Sequence, residues 1–172
     1  MRHSVEIDEG VGDLEAQLTD FFAAHYDRLV RLAALVCHSP ATVEDAVQAA
    51  MEQAWRRRGT LRSPNRLRQW LDQIVVREAI RANRRPWWAG FVQDGDAVEH
   101  VSDGRVDVNP EWIALVDAFR RLPAEQRIAV ALHLYAGYAI DQTAELMGAG
   151  IETTRSRVRL ARQRLRRELG EE

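Results

Sequence analysis

Apolar residues recur at steps of three and four along most of the chain, and this spacing predicts helices rather than strands. A first amphipathic stripe covers residues 13–36. A second helix, expected over residues 42–58, follows a Ser-Pro start signal, carries early acids and ends with three arginines before a glycine. A second Ser-Pro pair opens a third helix over residues 63–85. These three helices predict one small helical domain over residues 13–85.

Prolines and glycines divide the C-terminal part of the chain into four more predicted helices. They are expected over residues 109–121, 123–137, 140–148 and 152–169. The third of them is short, and a tight glycine-containing turn separates it from the longer fourth helix. This order is typical of a helix-turn-helix unit, here within a second domain over residues 109–172.

Between the two domains, residues 86–108 lose the helical period. They hold three glycines and five acids against one arginine, which indicates an acidic linker. The Trp87-Trp88 pair in this segment is either a packing anchor or an exposed docking site. Residues 1–12 are expected to form a flexible acidic N-terminus.

The formal net charge is only −2 over 172 residues because basic and acidic blocks cancel. Residues 54–85 carry a net charge of +8 and residues 120–172 a net charge of +3, and the other segments are acidic. Blocks of this kind are typical of proteins that contact charged surfaces. All 24 basic residues are arginines, whose planar guanidinium groups suit phosphates and guanine edges.

Several classes of protein are excluded by what the sequence lacks. Cys37 is the single cysteine, so no intrachain disulfide forms, and its apolar surroundings predict burial. No stretch approaches the about 20 apolar residues of a membrane span, and the N-terminus has no apolar signal core. The five histidines have no metal-ligand spacing, and no phosphate loop or nucleophile elbow is present. We therefore expect a cytoplasmic, non-enzymatic protein without metal or cofactor.

The last predicted helix separates apolar and basic side chains onto neighbouring faces. Seven arginines and one acid fall within residues 151–167. A helix that reads DNA needs one packed face and a basic neighbouring face that reaches phosphates and base edges. The alternative is a solvated bundle helix, but such helices usually mix charge signs to form ion pairs. The apolar seam comprises Thr154, Val158, Ala161, Leu165 and Leu169, and the basic seam comprises Arg155, Arg159, Arg162 and Arg166.

A second basic segment combines arginines with aromatic residues. Ten arginines in residues 56–85 accompany Trp55 and Trp70. This mixture suits single-stranded nucleic acid, whose bases stack on aromatic rings while cations neutralise the phosphates. Both tryptophans also lie near apolar stripes, so a place in the core is the competing interpretation.

Three segments carry a resemblance to a known family. TVEDAVQAAMEQAW (residues 42–55) has an acidic and then apolar pattern with a final Ala-Trp, and residues 67–85 contain Trp-Leu followed by Ile and Arg. Residues 122–169 begin with LPAEQR, continue through AELMG and end in TRSRVRLARQRL. In this order, and with an acidic linker between the halves, the chain resembles the extracytoplasmic-function (ECF) group of bacterial sigma factors. These are the promoter-recognition subunits of RNA polymerase.

The resemblance implies an all-α fold of two small helical domains joined by an acidic linker, the second a helix-turn-helix. Residues 13–85 are then region 2-like, for core polymerase and the minus-10 element, and residues 109–172 are region 4-like, for the minus-35 element. The implied partners are the β′ clamp helices and β flap of the core enzyme, duplex and melted promoter DNA, and an anti-sigma factor. No cofactor and no membrane are implied.

The family's site residues transfer to matching positions of this sequence. The implied contacts to the polymerase clamp are Glu44, Asp45, Gln48 and Glu52. The implied contacts to the melted minus-10 strand are Arg62, Asn65, Arg66, Arg68 and Trp70. The implied contacts to the minus-35 duplex are Thr153, Arg155, Ser156, Arg157, Arg159 and Arg162.

Four positions depart from the family pattern. Arg77 and Arg81 stand where the family often has Asn and Asp, which affects the expected minus-10 contacts. Ala139 replaces a usual Ser, and Thr143 replaces a usual aliphatic residue, which predicts a looser minus-35 domain. The alternative function is a helix-turn-helix regulator that binds duplex operator DNA without sigma activity.

Overall fold

Regular structure in the described part of the chain is entirely helical, as the sequence predicts. A computed structural model describes residues 6–61, 63–83 and 109–170, with all their side chains except those of residues 6–14 and 64. The first half contains α1 (Glu6–Val36), α2 (Ala41–Arg57) and α3 (Leu67–Asn83). The second half contains α4 (Pro110–Arg120), α5 (Ala124–Val130), α6 (Ile140–Met147) and α7 (Ile151–Leu169). The linker expected over 86–108, including the Trp87-Trp88 pair, lies outside the described residues.

The first half is a three-helix bundle, because each helix turns one apolar stripe towards the other two. Residues spaced by three and four positions along a helix share a face, so the stripes found in the sequence become the core. Cys37 is buried at the end of this core, as expected. Residues that are almost fully buried here include Leu18, Leu29, Leu32, Val43, Val47, Leu71 and Val75.

The start of α2 differs in detail from the expected hydroxyl cap. Pro40 occupies the N-cap position, and no side chain accepts a hydrogen bond from the first backbone N–H groups. Instead, the Thr42 hydroxyl donates to the carbonyl of Ser39 over 2.6 Å. The Ser-Pro-x-Thr sequence therefore closes the turn before the helix rather than capping the helix itself.

The start of α4 follows the predicted cap. Asn109 Oδ1 accepts a hydrogen bond from the backbone N–H of Trp112 over 2.8 Å, and Pro110 takes the first helical position. Proline loses nothing at this position because its missing N–H would have no partner within the helix. This cap fixes where the second half begins.

The helix expected over residues 123–137 does not stay α-helical. After Val130 the hydrogen bonds widen into a π turn over Ala131–Tyr135, in which Ala136 N donates to Ala131 O over 3.0 Å. Gly137 then takes a positive φ of 80° and Tyr138 N donates to Leu132 O. This turn directs the hydroxyls of Tyr135 and Tyr138 towards the first half.

The helix-turn-helix unit forms where the sequence predicts it. Gly148 ends α6 in the left-handed conformation at φ +62° and ψ +37°, which only glycine adopts without strain. The buried Thr143 hydroxyl donates to the carbonyl of Ala139, so this departure from the family pattern leaves no unsatisfied hydroxyl. The apolar seam of α7 is buried except for Leu169, which is 38% exposed at the end of the helix.

The two halves pack against each other through α1, which contacts both α4 and α5. The buried apolar residues of both halves form one continuous cluster. The outward faces of α2 and α7 do not take part in this packing, so both remain available to partners.

Candidate polymerase and nucleic-acid interfaces

The outward face of α2 is acidic and exposed. Glu44, Gln48 and Glu52 follow each other at four-residue steps, and each is exposed. Asp45 is exposed beside them. The opposite face buries Val43, Ala46, Val47, Ala50 and Ala54 in the bundle. The four residues expected at the polymerase clamp therefore lie together on one accessible surface, which we call the α2 face.

Trp55 lies at the C-terminal end of the α2 face. It is 42% exposed, so its place in the core, one of the two sequence interpretations, is wrong. The Arg58 guanidinium lies 5.3 Å from the centroid of its ring, and the same group donates to the carbonyl of Trp55 over 2.8 Å. This pair adds an aromatic and cationic end to an otherwise acidic surface.

The residues expected at the minus-10 strand are only partly brought together. Asn65 and Arg66 are exposed in a short 3-10 turn that precedes α3. The Arg68 guanidinium reaches across to the second half and donates to the carbonyl of Ala136 over 2.9 Å. Trp70 is half-buried and packs against the core. Arg62 lies outside the described residues.

The two arginines that depart from the family pattern lie on the surface of α3. Arg81 is exposed and pairs with Glu78 over 3.4 Å within the same helix. Arg77 is exposed and lines a cleft between the halves. Both add positive charge to α3, and neither packs into the core.

The helix α7 presents one basic flank beside its buried seam. An α-helix turns about 100° per residue, so Arg155, Arg159 and Arg162 project on the same side. All three are exposed. We call these three residues the α7 flank. It has the length and charge to lie against a DNA backbone and reach base edges in the major groove.

The remaining residues expected at the minus-35 duplex lie elsewhere around α7. Arg157 projects from the opposite flank, is 22% exposed and pairs with Glu125 at the start of α5. Thr153 is exposed in the first turn, and Ser156 is half-buried. Of the six expected residues, three therefore lie on the exposed α7 flank, and the other three lie elsewhere around the helix.

Two buried polar groups lie between the halves, and the sequence analysis missed both. Asp72 of α3 is fully buried and accepts hydrogen bonds from Arg28 and from the Tyr138 hydroxyl. Burial and the neighbouring Asp72 raise the pKa of Tyr138 far above its usual range. An acid within an otherwise apolar run, Leu71-Asp72 followed by Ile74-Val75-Val76, was the available signal.

Arg127 is the second buried polar group between the halves. It is fully buried at the α5 side of the interface, and both terminal nitrogens of its guanidinium lie within 3.1 Å of the ring nitrogens of His38. Burial and the cations Arg127 and Arg120 lower the pKa of His38. A neutral His38 is therefore the form that can accept a hydrogen bond from Arg127.

A cleft of about 700 Å³ opens between α3 and the second half. Its walls mix apolar side chains with polar and charged ones, the latter including Arg77, Glu125 and Arg157. Among the described residues no group of acids, histidines and cysteine could hold a metal ion. None of the described helices has the length and apolar character of a membrane-crossing segment.

Comparison with known proteins decides the family. Residues 21–89 match Sigma-70 region 2, and residues 112–165 match Sigma-70, region 4. The ECF RNA polymerase sigma factor SigM of Mycobacterium tuberculosis is 37% identical over 149 residues, which cover 87% of this chain and 75% of that protein. The chain belongs to the ECF group of RNA polymerase sigma factors. The family predicted from the sequence is confirmed.

Further relatives of this sigma factor agree. The RNA polymerase sigma factor SigV of Bacillus subtilis is 25% identical over 158 residues, covering 92% of this chain and 94% of that protein. The sigma factor RpoE of Bartonella quintana, solved in complex with the anti-sigma factor NepR, matches with a TM-score of 0.66 and 26% identity. That match covers 88% of this chain and 97% of RpoE. The sigma factor accordingly binds core RNA polymerase and directs it to promoter DNA, and the regulator alternative is not favoured.

Proposed function

We propose that this sigma factor divides promoter recognition among three separate surfaces, two on residues 13–85 and one on residues 109–172. The observation that carries the proposal is the separation of charge: an exposed acidic face on α2 and an exposed basic flank on α7. A protein that joins a polymerase to DNA needs surfaces of opposite character facing different partners.

The α2 face is proposed as the contact to the β′ clamp helices. Support for Glu44, Asp45, Gln48 and Glu52 comes from their common exposure and from the match of this helix to Sigma-70 region 2. Carboxylates at a protein interface form strong hydrogen bonds with arginine and lysine of a partner. The β flap is the proposed contact for the second half.

The minus-10 strand is proposed to meet the turn before α3. Asn65 and Arg66 are exposed there, and Arg68 and Arg62 supply further positive charge. Trp70, half-buried in the bundle, is proposed to support this surface while exposing only part of its ring. The combination fits single-stranded DNA, which is held by cations along its phosphates and by stacking of its bases.

The minus-35 duplex is proposed to receive the α7 flank in its major groove. Arg155, Arg159 and Arg162 would contact phosphates and base edges, with Thr153 and Ser156 near the helix start. Arg157 is proposed to act mainly by holding α7 against α5, because it pairs with Glu125. Direct minus-35 reading then rests on fewer residues than the resemblance implies.

An anti-sigma factor is a further proposed partner. Support comes from the likeness to RpoE in its complex with NepR. The cleft beside α3 offers such a protein a surface on which apolar side chains lie among polar and charged ones. In co-expression with a candidate anti-sigma factor, Ile80→Glu in the cleft wall should abolish co-purification, and Asp20→Arg on the exposed side of α1 should not.

We also propose that the protein acts in the cytoplasm at the nucleoid and catalyses no reaction of its own. The polymerase would supply all the chemistry, and the sigma factor would supply recognition and strand separation.

Run-off transcription with core polymerase tests the proposal. The full chain and core enzyme together should yield a discrete transcript from a promoter fragment, whereas either alone should not. Glu44→Arg should weaken core binding and lower the transcript, because it reverses charge on the α2 face. Asp20→Arg, a matched reversal on α1, should leave both unchanged. Tight operator binding by the free protein with no transcript would overturn the proposal.

A further inference from the structure

The α7 flank begins beside a carboxylate. Glu152 is the one acid within residues 151–167, where seven arginines lie. It belongs to the first turn of α7, and its side chain is 82% exposed. The three arginines of the α7 flank follow it at steps of three, four and three residues, so all four side chains project on the same side of the helix. The surface proposed to enter the major groove therefore carries one negative charge at its N-terminal end.

The stability of the helix does not require a carboxylate at this place. Glu152 pairs with Arg155, and the two side chains are 82% and 60% exposed. Exposed pairs at this spacing contribute little, because water and salt screen both charges. An acid in the first turn also gains from the helix dipole, but it gains as much on any side of that turn. The position of Glu152 on the DNA-facing side therefore has a different consequence.

That consequence is a lower general attraction to DNA. The phosphates repel the carboxylate, and its charge partly neutralises the neighbouring guanidinium of Arg155. Specificity is a difference between two affinities, so a group that is penalised at most sequences raises specificity if one sequence compensates the penalty. For a carboxylate, the compensation is a hydrogen bond donated by a base edge.

The chemistry of the base edges selects cytosine as this donor. An ionised carboxylate only accepts hydrogen bonds, and cytosine presents its N4 amino group to the major groove without an acceptor beside it. Adenine presents its N6 donor next to the N7 acceptor, which repels the second carboxylate oxygen. Guanine and thymine present acceptors. Cytosine is therefore the base whose edge complements Glu152.

Glu152 and Arg155 are spaced to contact neighbouring base pairs. At about 1.5 Å per residue they lie about 4.5 Å apart along the helix axis, and successive base pairs are about 3.4 Å apart. Residues at the N-terminus of a recognition helix contact base edges, and an arginine fork suits guanine O6 and N7.

We propose that Glu152 is a specificity-determining residue of the minus-35 contact. Its carboxylate accepts a hydrogen bond from N4 of a cytosine, in the base pair next to the one whose guanine Arg155 contacts. This role rests on the proposed placement of the α7 flank in the minus-35 duplex, and it adds the base that one further residue selects.

Selection from a randomised minus-35 element tests the proposal. The full chain and core polymerase bind a promoter fragment that yields the run-off transcript, with its minus-35 element randomised, and the bound fraction is sequenced. The wild-type protein should favour cytosine about tenfold at one position, next to a position that favours guanine. Glu152→Ala should lose the cytosine preference, keep the guanine preference and bind fragments without the cytosine more tightly. Arg155→Ala should lose the guanine preference.

Glu152→Gln gives a result that a change of charge alone cannot give. The glutamine amide both donates and accepts, which matches N6 and N7 of adenine, so the preference at the same position should move from cytosine to adenine. Glu111→Ala is the matched control, because it removes an exposed carboxylate from the first turn of α4. It should leave every base preference unchanged. Thermal unfolding shows that each variant remains folded.

Two results would overturn the role of Glu152 and leave the α7 flank in place. One is a binding gain in Glu152→Ala that is equal for every base pair, which would make Glu152 a general repulsive charge. The other is loss of the guanine preference alone in Glu152→Ala, which would make Glu152 a positioning residue for Arg155. Unchanged base preferences in both Arg155→Ala and Arg159→Ala would instead overturn the proposed minus-35 contact of α7, and the role of Glu152 with it.

Discussion

The arginines of α7 differ in how freely their charge can act on a DNA phosphate. On α7, Arg157 is held by Glu125, whereas Arg159 and Arg162 have no ion-pair partner among the described residues. A guanidinium already paired with a carboxylate offers less attraction to a phosphate, since the local field is partly neutralised. Arginines of the same helix therefore differ in how strongly they attract a phosphate, depending on their position around the helix and on their ion pairs.

Arg159→Ala should weaken promoter use by about 1–3 kcal/mol if this side chain contacts a base edge as a bidentate donor. The measurement is the affinity of the holoenzyme for a promoter duplex with an intact minus-35 element. Arg164→Ala removes an exposed arginine from the other side of α7 and should cost much less. Equal losses in the two variants would reduce the role of α7 to general attraction of phosphates.

Single residues also mark the limit of sequence reasoning. Asp72 and Arg127 are charged residues in segments that otherwise read as ordinary amphipathic helices, and both are fully buried. Their burial depends on Tyr138 and His38, which lie 66 and 89 positions away along the chain. A helical period reports which face is apolar, but it contains no information about partners at such separations.

At the scale of elements, the turn between α6 and α7 depends on one glycine. Gly148→Ala places a Cβ at φ +62° and should lower the free energy of unfolding by about 1 kcal/mol, although no atom lies within 4 Å of that Cβ. Gly59→Ala is the matched control, since it also has open space and no positive φ. It should be neutral or slightly stabilising. Equal effects in chemical denaturation would contradict the conformational origin of the cost.

Helices with clear start or stop residues were predicted well from the sequence. The α4 start at Asn109-Pro110 and the α6 end at Gly148 follow from local chemistry, namely a side-chain cap and a left-handed residue. The start of α1 lies at Glu6 rather than near residue 13, so the expected flexible N-terminus is wrong for residues 6–12. Gly10 and Gly12 lower the helix propensity of this segment, which is why the sequence did not predict the longer helix. The π turn was not predicted, since hydrophobic spacing does not distinguish it from continued α-helix.

At the scale of the whole molecule, the interface between the halves is expected to respond to pH through His38. Arg120 of α4 and Arg127 of α5 both face this ring, and Asn83 of α3 accepts from its backbone N–H. Burial, with these two cations, lowers its pKa below the ordinary value of 6.5. The unfolded chain therefore binds the proton at His38 more readily than the folded chain does, and the folded protein loses stability as the pH falls below about 6.5.

The midpoint of thermal unfolding should fall between pH 7 and pH 5, in part because protonation sets His38 against the buried Arg127. His38→Gln keeps a polar acceptor without a titrating ring and should remove this part of the pH response. Other histidines contribute equally to both proteins, so the difference isolates His38. An identical pH response in the two proteins would contradict the role of His38.

The block charges of the sequence have a spatial counterpart in the fold. Acidic residues on α2 and basic residues on α7 lie on exposed faces, while the polar contacts between the halves are made mainly by tyrosine, histidine and arginine. The two exposed surfaces could be predicted from the sequence because the charged residues of each surface lie close together along the chain. The interface required the fold, because its polar members come from α1, α3, α5, the π turn and the loops that hold His38 and Tyr138.

The π turn at Ala131–Tyr135 has a consequence for how the chain tolerates changes in length. A π turn contains one residue more than the α-helical turn that it replaces. Deleting a residue here would restore regular α-helix and rotate everything after it by about 100°. Tyr138 would then no longer reach Asp72, even with every side chain preserved. Substitutions within this turn are therefore expected to be tolerated more readily in this family member than a single-residue deletion.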